Sequence, residues 1–166
     1  MKILTNINSS NIFIIILFIS FSNLALSQET EDSYIDYKSI KKNNANMRLG
    51  PGKRYEIIWN FTKADLPVKI IKKFDLWYKV ETPDGSIGWM KGSLLAKQKT
   101  IIFKKNDKIY KNNNLGSNII AHVDKNSILK IHYCKNQWCK VESNKYRIIG
   151  FVQKNNIWGA FVSSSK

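Results

Sequence analysis

Between Met47 and Leu95 apolar and polar residues alternate and turn in short steps. Trp77-Tyr78-Lys79-Val80-Glu81 has the period of two of a half-buried strand, and Leu66-Pro67-Val68-Lys69-Ile70-Ile71 reads as another. Met47-Arg48-Leu49 runs into Gly50-Pro51-Gly52, where Pro lacks a donor and Gly tolerates positive φ, so a turn is expected to stop that strand. A bend at Phe74-Asp75-Leu76 and a hairpin turn at Pro83-Asp84-Gly85 lead on to Gly88-Trp89-Met90. Five short strands in about fifty residues predict a small β-barrel.

The pattern recurs. Trp77 to Glu81 overlays Trp138-Cys139-Lys140-Val141-Glu142 at a shift of 61 residues. With one inserted residue, Gly88-Trp89-Met90 overlays Gly150-Phe151-Val152 and Leu95 overlays Ile157; upstream, Met47-Arg48 falls over Ile109-Tyr110. Self-similarity at such a period signals a duplicated unit. Asn112-Asn113-Asn114 replaces Gly50-Pro51-Gly52 in the second copy, and since Asn also enters the left-handed region the turn is expected to survive there. Thr100-Ile101-Ile102-Phe103 is expected to be a strand passing from one barrel to the next.

Arg48-Leu49-Gly50-Pro51-Gly52 followed by Tyr55, then Leu66-Pro67-Val68, Trp77, Gly88-Trp89-Met90 and Leu94-Leu95, resembles the bacterial SH3-like (SH3b) domains. More narrowly it resembles a secreted alphaproteobacterial branch of small exported proteins with two such repeats. The resemblance covers roughly residues 45 to 160. It implies an all-β fold of two tandem small SH3-like β-barrels, a binding or docking role, and no catalytic residues to carry over. The domain plan is a signal peptide at 1–27, a flexible leader at 28–44, a first barrel at 45–97 and a second at 98–162.

Lys2, the apolar run Ile12 to Phe21 and the small-residue site Ala25-Leu26-Ser27 have the layout of a secretory signal peptide cleaved before Gln28. A membrane-spanning helix needs about 20 apolar residues, so an exported, periplasmic protein with no membrane span is expected. Gln28 to Asn44 is polar and changes from acidic to basic, and it reads as a solvated leader with one short strand at Tyr34-Ile35-Asp36-Tyr37. Barrels of about 55 residues bury only about 60% of their unfolded surface, so two packed together support each other.

Cys134 and Cys139 are the two cysteines. In an exported chain a close, even pair reads as a disulfide, here between hairpin arms Ile131 to Cys134 and Trp138 to Val141 with Lys135-Asn136-Gln137 as the tip. The SH3b resemblance agrees, since a Cys pair flanking a Trp in the second repeat looks like a feature of that branch. A metal site is the alternative, with His132 and Cys134 projecting from one strand and Cys139 and His122 completing four ligands, although the paired short spacing of zinc sites is missing. Redox catalysis is a third.

The chain carries 27 Lys and Arg against 12 Asp and Glu, a net charge of +15. Such a field implies weak, salt-sensitive attraction to anionic surfaces. Lys, Asn and Ile also dominate throughout, as an AT-rich genome produces. Only Arg48, Arg54 and Arg147 are Arg, the residue that suits bidentate phosphate recognition, so no specific nucleic-acid site is expected.

Most large aromatics of a small barrel fill core or corners. Trp77 differs, because strand alternation gives it the face of Lys79 and Glu81 while Tyr78 and Val80 take the other. A shallow ligand groove is expected from Trp77 and Trp89 with Arg48, Arg54 and Tyr55 of the first turn. The acidic loop beside the polyproline groove of eukaryotic SH3 domains has no counterpart, so that ligand is not carried over. Neither Cys has a helix-like context, Asp84 sits in a turn, Glu81 and Glu142 occupy equivalent solvent-like positions, and no glycine-rich phosphate loop occurs. No enzyme activity and no cofactor are expected. Two functions fit: a periplasmic module binding cell-wall polymer (peptidoglycan), or a protein-docking adaptor of an envelope complex using the groove or a strand edge.

Overall fold

Alternation becomes strand where one face can be buried, and in the computed structural model, which describes residues 36–97 and 99–159, this happens twice. The first half forms β1 (Asp36–Ile40), β2 (Ala45–Arg48), β3 (Ile57–Phe61), β4 (Pro67–Phe74), β5 (Trp77–Glu81), β6 (Ile87–Lys91) and β7 (Leu95–Ala96). These pair antiparallel in the order β3-β2-β6-β5-β4-β1-β7. The second half repeats the plan with β8 (Thr100–Phe103), β9 (Asp107–Tyr110), β10 (Ile119–Val123), β11 (Ile128–Lys135), β12 (Trp138–Ser143), β13 (Ile148–Gln153) and β14 (Ile157–Trp158), in the order β10-β9-β13-β12-β11-β8-β14. Ile40, Met47, Val68, Val80 and Met90 anchor the first core; Ile101, Phe103, Cys139, Val141 and Val152 anchor the second. The expected all-β fold of two small SH3-like barrels is what the chain forms.

Matching backbone details mark the duplication. Asp65 and Asn126 take φ of 66° and 65°, and Asp75 and Asn136 take 48° and 52°, in each case at the same turn of the two copies. Gly88 and Gly150 sit where their strands meet the neighbouring backbone too closely for any side chain. A Cβ at Gly88 would stand 3.0 Å from the Arg48 carbonyl oxygen, and one at Gly150 only 2.7 Å from that of Tyr110.

The first barrel starts earlier than position 45. Within the expected leader 28–44, β1 pairs with both β4 and β7, and Ser39 and Ile40 are fully buried. Ile40 fills the first core as Phe103 fills the second, and the Asn43 side-chain oxygen accepts the Ala64 N–H at 2.8 Å just as Asn106 accepts that of Lys125 at 2.8 Å. β3 is a further addition to the expected strands, and β8 belongs wholly to the second sheet. The expected signal peptide at 1–27, the leader as far as 35 and residues 160–162 lie outside the described residues.

The first turn holds for a different reason from the one its glycines suggest. Backbone bonds from Leu49 to Glu56, Gly52 to Gly50 and Tyr55 to Gly52 recur in the second copy from Lys111 to Asn118, Asn114 to Asn112 and Ser117 to Asn114. None of these turn glycines or asparagines has positive φ. Gly50 is needed for closeness instead, since a Cβ there would lie 2.5 Å from the Tyr55 ring. Ser117 replaces that ring in the second copy and its hydroxyl accepts the Asn112 N–H at 2.9 Å, so Asn fits.

Both barrels belong to one compact unit. The Thr100 hydroxyl of β8 donates to the Asp65 carbonyl at 2.6 Å, Tyr37 meets Trp158 edge-on at 5.2 Å, and Lys99 reaches Asp36 at 3.6 Å. Among the described residues no helix is long and apolar enough to cross a membrane.

Candidate functional site

The five residues expected to form a groove have separate duties. The Arg48 guanidinium donates into its own loop, to the Lys53 carbonyl at 3.0 Å and the Tyr55 carbonyl at 2.6 Å. Tyr55 lies against Gly50 and Gly52, with Arg54 at 5.6 Å from its ring centre. These three build the loop first. Arg48 is also the cross-strand partner of Trp89, which is 9% exposed yet stands apart from the core cluster. Trp77 pairs with Phe74 and Lys91, one step along the same sheet face. The structure therefore brings Arg48, Trp89 and Trp77 onto one outer face, with the Tyr55 loop at its edge.

Pattern reading missed two members of that face. Simple alternation from Val68 and Ile70 would turn Lys72 and Phe74 toward the core. A bulge between Ile70 and Lys72 shifts the register, so that Lys72 pairs with Lys79 and Phe74 with Trp77. Phe74 is 59% exposed and meets Trp89 edge-on at 6.5 Å, and the Lys72 ammonium stands 5.9 Å from the Trp89 ring centre. Three aromatic rings interleaved with lysines result.

The second barrel builds the same face with different side chains. Its bulge falls at the matching place, between Ile131 and Tyr133, so Tyr133 pairs with Lys140 and Lys135 with Trp138. Phe151 stands opposite both Lys140 and Tyr110, and Tyr110 packs edge-on to Trp138 at 5.4 Å. Tyr133 is 52% exposed.

Cys134 and Cys139 are directly opposed across β11 and β12 and joined as the expected disulfide. Both sulfurs are thereby used, which removes the Cys ligands from the metal reading, and His132 turns to the Glu142 carboxylate at 2.8 Å. Such a bond fits an exported protein. Two titrations are displaced elsewhere. Burial pushes the Tyr37 phenol up, helped by the Glu81 carboxylate, and the Thr82 hydroxyl hydrogen bond holds the Asp84 carboxyl below its ordinary value against the opposing effect of burial.

A family model of the bacterial SH3 domain matches residues 41–97 and again 104–159, the two halves that fold as barrels. The chain belongs to the bacterial SH3 domain family. No curated protein matches it. Among solved structures it is similar to NlpC2 from Trichomonas vaginalis, at 13% identity and a TM-score of 0.37, with 80% of this chain and 51% of that one covered. It is likewise similar to NlpC1 from Trichomonas vaginalis, at 13% identity and a TM-score of 0.34, with 74% of this chain and 45% of that one covered. The chain spans about half the length of those structures. For this family member the outer face is the feature built twice.

Proposed function

We propose that this bacterial SH3 protein is an exported, non-catalytic module that binds cell-wall polymer in the periplasm, delivered there by a signal peptide cleaved near Ser27. One observation carries the reading: both repeats bring aromatic rings and lysines to the same outer sheet face through a bulge at the same register. Rings present flat apolar area to sugar faces, and lysines attract the carboxylates of peptide stems. Purified peptidoglycan should retain the full chain at low salt. Replacing Trp77 and Trp138 together by Ala should weaken retention about thirtyfold, as for loss of two rings worth about 1 kcal/mol each. Retention unchanged by the double substitution overturns the proposal.

A second reading, an adaptor for an envelope protein, is favoured by β3, an edge strand that exposes Ile57 and Trp59. Crosslinking from Trp59 in cells should then yield one defined protein, and recovery of wall fragments alone rejects it.

A further inference from the structure

At the hairpin end of each barrel the two copies part company. Lys73 and Tyr78 face each other across β4 and β5, and Cys134 and Cys139 hold the equivalent pair across β11 and β12. Beside the Lys73 and Tyr78 pair the first barrel has a cleft of about 460 Å³ lined by Lys38, Lys73, Tyr78, Lys91 and Lys97, with Asp75 the one carboxylate of the lining, whereas the cleft of about 440 Å³ beside Cys134 is lined by Lys97, Lys99, Lys130 and His132. The Lys38 and Lys73 ammonium groups stand 5.8 and 5.9 Å from the Tyr78 ring centre. Lys38 is bridged to Asp36 at 3.6 Å. Among the described residues no carboxylate pairs with Lys73, Lys91 or Lys97.

Three of these lysines have no basic counterpart in the second copy. Matched by register, Lys38 opposes Val68 as Ile101 opposes Leu129, and Lys91 opposes Trp77 as Gln153 opposes Trp138. Lys38, Lys73 and Lys91 thus correspond to Ile101, Cys134 and Gln153, all neutral. At these three positions the charge belongs to the first copy alone. Four lysines against Asp75 and the Asp36 partner of Lys38 leave a surplus of two positive charges, more than the single charge of a carboxylate balances. A phosphomonoester brings about −1.5 to −2 charges and three acceptor oxygens, and lysine serves phosphate as a point charge.

We propose that the Tyr78 cleft of the first barrel binds a phosphomonoester or diphosphate group, independently of the outer faces. The test is an NMR titration of the ¹⁵N-labelled full chain with inorganic pyrophosphate at low ionic strength. Amide shifts are expected at Lys73, Tyr78 and Gly92 and not at Cys134, Cys139 and Lys154. Replacing Lys73 and Lys91 by Gln should weaken binding about tenfold or more, while Lys125→Gln with Lys135→Gln, which removes equal charge from the other barrel, should change it less than about twofold. Equal losses from the two pairs, or shifts spread over both barrels, overturn the proposal. Cosedimentation with phosphatidate-containing phosphatidylcholine vesicles, lost in the Lys73/Lys91 variant, assigns the phosphate to a lipid headgroup. A pyrophosphate response without cosedimentation assigns it to a soluble molecule or polymer. Trp138→Ala tests wall binding and should leave the pyrophosphate response intact, so the failure of either proposal is separable from the other.

Discussion

Reducing the Cys134–Cys139 disulfide should lower the melting temperature by an amount that also reports whether the barrels unfold together. The cysteines are five positions apart, and closing so short a loop removes about 2 kcal/mol of denatured-state entropy. The reduced hairpin keeps its fold, because β12 remains paired with β13 and Asn136 already takes the left-handed turn at φ 52°. Unfolding entropy near the transition is about 2.1 cal/mol/K per residue, so 2 kcal/mol corresponds to about 16 °C for one barrel of about 60 residues and about 8 °C for both melting as a unit. Burial of Thr100 against Asp65 and of Tyr37 against Trp158 argues for the unit. Calorimetry of the full chain, oxidised and reduced, should show one transition falling by about 8 °C, and the double Cys→Ala variant should fall further because it also removes the buried Cys139 sulfur from the second core. Two transitions of which one falls by about 16 °C would refute the coupling. No shift at all would refute the loop-entropy argument itself.

Gly150→Ala should destabilise by about 3 kcal/mol and Gly88→Ala by about 1, measured by urea unfolding, because the added methyl meets rigid backbone more closely in the second barrel, while Met47 beside Gly88 can move; the reverse order would be incompatible with this packing. Thr100→Val leaves the Asp65 carbonyl without its donor and should cost about 1 to 2 kcal/mol, with calorimetry splitting into two transitions if that bond couples the barrels. Asp84 has a depressed folded pKa, so its contribution is complete above the unfolded value of about 3.9 and disappears as pH falls through the folded value; Asp84→Asn should be less stable than wild type at pH 7, and the gap should close in acid. A gap that persists unchanged at low pH would exclude the Thr82 to Asp84 bond as its source.

Period-two alternation was enough to locate β5 and β12 and the Trp77 face, because those strands run without irregularity from turn to turn. It failed on β4 and β11 for a definite reason: one extra residue in mid-strand inverts the side-chain pattern beyond it, and no residue type at Ile71 or His132 announces the bulge. β1 was legible by comparison and missed by composition. Ile40-Lys41-Lys42-Asn43 reads like Phe103-Lys104-Lys105-Asn106, yet its surroundings are polar enough to pass for a solvated leader. Arg48 and Tyr55 were recognisable as a motif, and the structure shows both closing the loop, with Arg48 also facing Trp89.

The two copies keep different things, and the difference sorts scaffold from site. Asp65 and Asn126, the Asn43 and Asn106 caps, and Gly88 and Gly150 keep conformation or space in both copies, as the backbone demands. The outer faces keep a mixture of rings and cations while exchanging them between positions: Arg48 for Tyr110, Lys72 for Tyr133, Phe74 for Lys135, and ring for ring only at Trp89 and Phe151. The rings kept in place, Trp77 with Trp138 and Trp89 with Phe151, are buried or half-buried, whereas the exposed rings Phe74 and Tyr133 are each replaced by Lys in the other copy, as expected where most surface substitutions alter stability by less than about 0.5 kcal/mol. At the hairpin ends Trp77 and Trp138 are kept, while the neighbouring pair Lys73 and Tyr78 gives way to Cys134 and Cys139. A disulfide between Cys134 and Cys139 stabilises a marginal barrel by filling the very position where Lys73 and Tyr78 border an open, charged cleft. A barrel that is crosslinked there cannot also place a lysine there, so a residue such as Lys73 can border the cleft only in the copy without the disulfide.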